Sequence, residues 1–198
     1  MRCINPAIVA IAALACGGLL ASGPAAYGQA VADPPRAFTI ADGGFSLEAP
    51  AGWNRVQPKS GIVETEFAIP SDGDGLPAGR MTVMGAGGSV QANVDRWYGQ
   101  FSQPDGAATK DKATTKTLKL AGCTVTLVDV AGTFKDMPAG PFAGGQAVER
   151  PDYRMLAAIV ETPERGSYFL KFYGPQATVA KHAEGFRKMI EGLVAATP

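Results

Sequence analysis

The sequence predicts an α+β domain in which a mainly antiparallel sheet is covered by helices on both faces. Three observations lead there. First, two late strand candidates, residues 153–161 and 167–173, are apolar on both sides. In the first, Tyr153, Met155, Ala157 and Ile159 oppose Leu156, Ala158 and Val160. In the second, Phe169 and Tyr173 oppose Tyr168, Leu170 and Phe172. Strands without a polar side are covered on both. Second, the turns between strand candidates are short, whereas parallel crossovers need about a dozen residues or more. Third, two stretches carry helical period and supply the covers.

The elements follow in chain order. Residues 38–40 and 45–48 flank Asp42-Gly43-Gly44, a hairpin-type turn signal. Residues 61–69 form a strand that Pro70 stops, residues 71–79 a loop, and residues 80–84 another strand. From Ser89 to Phe101 the period changes: Val90, Val94, Trp97, Tyr98 and Phe101 share one helical face. Ser89 suits the N-cap, where its hydroxyl accepts a free backbone N–H. Residues 103–113 are a polar loop. Residues 114–120 and 123–134 form a hairpin about Ala121-Gly122. Residues 135–152 are a long connection rich in Gly and Pro, and residues 162–166 a turn. Residues 175–194 are the last helix. Val179, Ala183, Phe186, Ile190 and Leu193 form its stripe, and Pro175 fits its first turn. No internal repeat or second domain is visible.

The N-terminus reads as an address. Arg2 is the only charge before Asp33, residues 7–20 are Ala, Ile, Val, Leu, Cys and Gly, and small residues follow. This is the layout of a secretory signal peptide, residues 1–30, with cleavage after Ala30 or Ala32. The apolar stretch is shorter than the roughly 20 residues of a membrane span. An extended leader, residues 31–37, then precedes a single domain, residues 38–198. The expected location is periplasmic or extracellular. An uncleaved N-terminal anchor is the alternative, and Cys16 offers lipid anchoring as a second, but Ala13-Leu14-Ala15-Cys16 lacks the branched aliphatic residue three places before the cysteine. Cleavage leaves Cys123 as the lone cysteine, expected as a buried, inert thiol in a strand.

Phe45-Ser-Leu-Glu-Ala-Pro-Ala-Gly-Trp53 resembles the strand–Pro–x–Gly–Trp opening of the PsbP/Mog1-like superfamily. Tyr168-Phe-Leu-Lys-Phe-Tyr-Gly-Pro175 and the helix after it resemble that superfamily's C-terminal strand–helix unit. Residues 140–145 and 152–156 are similar to segments of secreted bacterial proteins. The resemblance covers residues 38–194. It implies a three-layer α/β/α sandwich with an antiparallel sheet. Members are mostly non-catalytic: an assembly and stabilising subunit of the photosynthetic oxygen-evolving complex, a binder of a small GTPase, and bacterial envelope lipoproteins. In the motif itself, Pro50 stops the strand, Gly52 allows the turn and Trp53 anchors the chain on the core.

The 18 Lys+Arg balance the 18 Asp+Glu among 198 residues, which argues against a nucleic-acid binder. One His excludes multi-histidine metal sites. Asp72-Gly-Asp-Gly75 fails the EF-hand pattern, because Val83 stands where its Glu belongs. Gly85-Ala-Gly-Gly88 fails the dinucleotide fingerprint at Val90. His182 is read as a helix-surface residue. No catalytic, cofactor-binding or metal-binding residue is named. The best functional candidate is the connection at residues 135–152, because loops beyond about 12–15 residues are usually functional or disordered. Phe142, Glu149, Arg150 and Asp152 are its proposed partner contacts, with a protein of the cell envelope as the expected partner. The reading is an exported, non-catalytic binding or assembly module. The alternative is an exported hydrolase whose site, built near His182 or from paired carboxylates, assembles only in tertiary structure.

Overall fold

The computed structural model describes residues 36–71, 73, 75–137 and 146–196. The proposed signal peptide, its cleavage sites, Cys16, Asp72, Asp74 and Phe142 lie outside the described residues. Strands β1 (Ala37–Ile40) and β2 (Phe45–Glu48) form the anticipated hairpin, and β11 (Val194–Ala195) adds to β2. The main sheet holds β3 (Asn54–Val56), β4 (Thr65–Ile69), β5 (Gly79–Ala86), β6 (Phe101–Ser102), β7 (Thr114–Leu120), β8 (Cys123–Asp136), β9 (Val148–Glu161) and β10 (Ser167–Pro175). Its order is β3-β4-β5-β10-β9-β8-β6, with β7 also on β8, and each of these pairings is antiparallel. Among the described residues three helices join it: α1 (Val90–Tyr98), α2 (Thr109–Lys112) and α3 (Gln176–Glu191).

The side-chain alternation of β9 and β10 sorts residues as their sequence pattern predicts. Leu156, Ala158, Val160, Tyr168, Leu170 and Phe172 join Trp53, Phe67 and the α3 residues Val179, Phe186 and Ile190 in one apolar cluster. Met155, Ala157, Ile159 and Phe169 join Val94 and Trp97 of α1 in a second. Each fully buried Val, Leu, Ile, Phe or Met side chain among them contributes roughly 1.5–3 kcal/mol. Cys123 is buried in the first cluster.

Several boundaries differ from expectation, each for a local reason. Ser89 caps α1 as predicted, accepting from Ala92 N at 3.2 Å, but the helix stops at Gly99, so Phe101 reaches the second cluster from a strand. A short helix, α2, interrupts the polar loop. The strand placed at residues 61–69 starts only at Thr65, after a turn. β3 is wholly exposed and carries no alternation to announce it. The last helix ends at Glu191 and Val194 belongs to β11, while Pro175 is the N-cap rather than a first-turn residue.

The largest correction concerns residues 135–152. β8 runs on to Asp136 and β9 begins at Val148, so Glu149, Arg150 and Asp152 are strand residues, with Lys135 opposite Glu149 and Phe134 opposite Arg150. Pro151 masked the strand in sequence, because proline is confined to edges and bulges within sheets. Here it sits at a bulge, where the register shifts between Gly132 and Phe134 and Asp152 takes φ 54°. Gly132, opposite Tyr153 at the edge of the bulge, has φ 146°, and a Cβ there would come within 2.6 Å of Ser102 O. β7 covers the outer edge of β8 up to Asp129, and β6 resumes at Thr133. In the interval Gln103 Nε2 donates to Ala131 O at 2.9 Å.

Candidate functional site

The face of the sheet that carries α1 is apolar under the helix and charged beside it. Register builds this arrangement. Lys171 lies opposite Thr82 on β5 and Ala157 on β9, and Tyr173 lies opposite Arg80. Glu66 on β4 pairs with Thr82. Residues opposite one another in a sheet point to the same side. Glu66, Arg80, Lys171 and Tyr173 therefore share one face with Phe169, which lies 5.0 Å edge-on from Trp97.

Glu66 is almost fully buried, 2% exposed, and a buried carboxylate is costly unless paired. Arg80 supplies the pair: Nε donates to Oε1 and Nη2 to Oε2, both at 2.8 Å. This fork holds the Glu66 carboxyl below its ordinary value, against the opposing effect of burial. It also pushes the Arg80 guanidinium up. The remaining Nη1 donates to the Tyr173 hydroxyl at 2.8 Å. Burial raises the Tyr173 phenol despite the cation beside it.

An aromatic chain leads from there to the base of the β8–β9 ribbon. Tyr173 lies 5.3 Å from Phe134, which stacks on Tyr153 at 6.0 Å and 8° and touches Phe101 at 5.1 Å. Arg150 and Asp136 close this end as an ion pair of 3.3 Å. On the helix side, Lys171 Nζ donates to Gln100 Oε1 at 3.1 Å and sits over the rings of Trp97 (5.6 Å) and Tyr173 (5.8 Å). Burial, then Arg96 and Arg80, push the Lys171 ammonium down to about 8. Arg96 Nη2 bonds to Asn93 Oδ1.

The structure thus brings Arg150 to the end of this cluster. It leaves Glu149 and Asp152 exposed on the ribbon, with Asp152 fixed by the bulge. The face itself went unnoticed in sequence. The signals were a single Lys inside the aromatic run of residues 168–173 and a Glu inside the apolar strand of residues 65–69.

His182 differs from the helix-surface reading. It is half-buried, with Nδ1 accepting from Trp53 Nε1 at 3.2 Å and Nε2 at 3.2 Å from Pro70 O. The neutral ring protonated on Nε2 satisfies both contacts. Trp53 is buried against Phe172 (5.1 Å) and Phe67 (6.4 Å), which is the anchoring role its motif predicts. Burial pushes the Cys123 thiol up, away from the reactive thiolate. Among the described residues no group of three or more His, Cys, Asp or Glu is placed to hold a metal, and no helix is long and apolar enough to cross a membrane.

No family model and no curated protein matches the sequence. The solution structure of cyanobacterial PsbP (CyanoP) from Synechocystis sp. PCC 6803 does match in three dimensions. Its TM-score is 0.50 at 10% identity, over 87% of this chain and 99% of that one. The fold is PsbP-like. The crystal structure of PA94 from Pseudomonas aeruginosa, a protein of unknown function, is similar at TM-score 0.45 and 12% identity, over 82% of this chain and 97% of that one. The α+β architecture expected from strand patterning and from the motif at Trp53 is thereby matched by a PsbP-like neighbour.

Proposed function

We propose that this chain is an exported, non-catalytic binding or assembly module of the cell envelope, built as a three-layer α/β/α sandwich. The observation that carries the reading is the PsbP-like fold, which spans nearly the whole of its neighbour's length. The apolar clusters on the two faces of the sheet support the layering. The state of His182 favours a non-catalytic role, since both ring nitrogens are engaged in holding Trp53 and the carbonyl of Pro70. A general base needs a free nitrogen within reach of its proton.

The partner contact in this reading is the β8–β9 ribbon. Glu149 and Arg150 flank its base, and Met137 and Val148 add exposed apolar surface, 38% and 41% exposed. Crosslinking in the native envelope identifies the partner. Replacing Glu149 and Arg150 by alanine is expected to lower its capture, with a change in folding stability under about 1 kcal/mol because the ion pair is part-exposed. Unchanged capture counts against the ribbon. For export, mass spectrometry of the native protein is expected to find an N-terminus at Val31 or Asp33. A retained Met1 overturns that part.

A further inference from the structure

The charged face beside α1 has an imbalance that its own contacts leave unresolved. Glu66 commits both oxygens to Arg80, and Asp136 is committed to Arg150. Lys171 and Arg96, the two other cations of the cluster, have only neutral amide acceptors among the described residues: Gln100 Oε1 and Asn93 Oδ1. An ammonium has three N–H donors, and Lys171 uses one. Its place makes this costly. It stands on a central strand between β5 and β9, over two aromatic rings, with Arg96 and Arg80 both acting on it as like charges. Desolvating a cation near other cations raises the free energy of the empty protein, and a methionine would fit the same aromatic surroundings without that penalty.

We infer that this cluster is a binding site for a single oxyanion, a carboxylate or phosphate group, received by Lys171 and Arg96 beside the Arg80–Glu66 pair. The site opens to solvent, because the Arg80 side chain is 33% exposed and Arg96 is exposed. The anion would meet a planar guanidinium fork on one side and a point charge on the other, the two donor types that oxyanions favour. Its size is set by the patch. The chain as a whole has 18 cationic and 18 anionic residues, so the two cations that remain once Glu66 pairs with Arg80 are a local excess and not part of a basic surface suited to a polyanion. Tyr173 links the cluster to the ribbon end, yet the inference stands without the binding-module reading.

The test is a titration of the purified chain with inorganic phosphate and with citrate, read by thermal shift and by the fluorescence of Trp97, whose ring lies 5.6 Å from Lys171 Nζ. A saturable response that sodium chloride at equal ionic strength does not reproduce is expected. Lys171→Gln should weaken it at least tenfold, while Lys116→Gln on the exposed edge strand should leave it intact. NMR titration of the Lys171 side chain in the unaltered protein gives a second readout: its midpoint, about 8 without ligand, should rise with phosphate. A glutamate-rich peptide that competes with phosphate assigns the oxyanion to a partner's side chain; lack of competition assigns it to a free anion. A response matched by chloride, retained in K171Q, or accompanied by an unmoved Lys171 midpoint overturns the site. None of these measurements needs the envelope partner, so their failure and failure of the capture experiment are distinguishable.

Discussion

At the scale of single residues, the buried charges set the chemistry. Arg80→Leu strips Glu66 of two charge-assisted bonds while leaving it 2% exposed, and should cost about 3 kcal/mol in chemical denaturation. The same pair makes stability depend on acidity. The folded carboxyl of Glu66 is held below 4.5, so the unfolded chain takes up its proton first as pH falls. The contribution is therefore fully present above the ordinary Glu value and is lost as pH drops through the folded one. Denaturation midpoints of Glu66→Gln should be flatter than wild type below about pH 4.5; an unchanged slope would contradict the assignment. His182→Ala leaves the Trp53 indole N–H unpaired in the core and should cost about 1–3 kcal/mol. In a double-mutant cycle with Trp53→Phe the two losses should be less than additive. The role of Trp53 was legible in sequence, because proline, glycine and tryptophan act within a few residues of one another. The cluster of Glu66, Arg80 and Lys171 was not, because its members come from three strands and only the register puts them on one face.

At the scale of elements, turns and bulges decide where strands begin. Ala121 and Gly122 both have positive φ, 49° and 80°, the conformation of a type I′ hairpin turn. Alanine is strained there, whereas asparagine tolerates it, so Ala121→Asn should stabilise the protein by about 1 kcal/mol. A lower melting temperature would show the turn to be of another kind. Helix starts were legible from Ser89 and from the stripe Val179–Phe186–Ile190, since caps and period are local. The extent of β8 and β9 was not. Nothing near Pro151 shows that the register against β8 shifts there, because the facing stretch from Gly132 to Phe134 is far away in sequence. Glycine is needed at that point: Gly132→Ala should lower the yield of folded protein sharply, because its Cβ meets the carbonyl of Ser102 at 2.6 Å.

At the scale of the whole molecule, a mainly antiparallel sheet with helices is what this chain shares with a PsbP structure at 10% identity. At such identity the likeness is one of fold, and fold alone does not carry the chemistry of any one position. The outer edge of β8 also has a consequence for how the protein opens. It has two separate owners, β7 up to Asp129 and β6 from Thr133, and the amide of Gln103 spans the interval at Ala131. Amide exchange along this border should therefore divide into two independent breathing units, one on each side of Gly132. Gln103 is the rivet between them. With Gln103→Ala the amides on both sides should become less protected, while those between β9 and β10 keep their slow exchange.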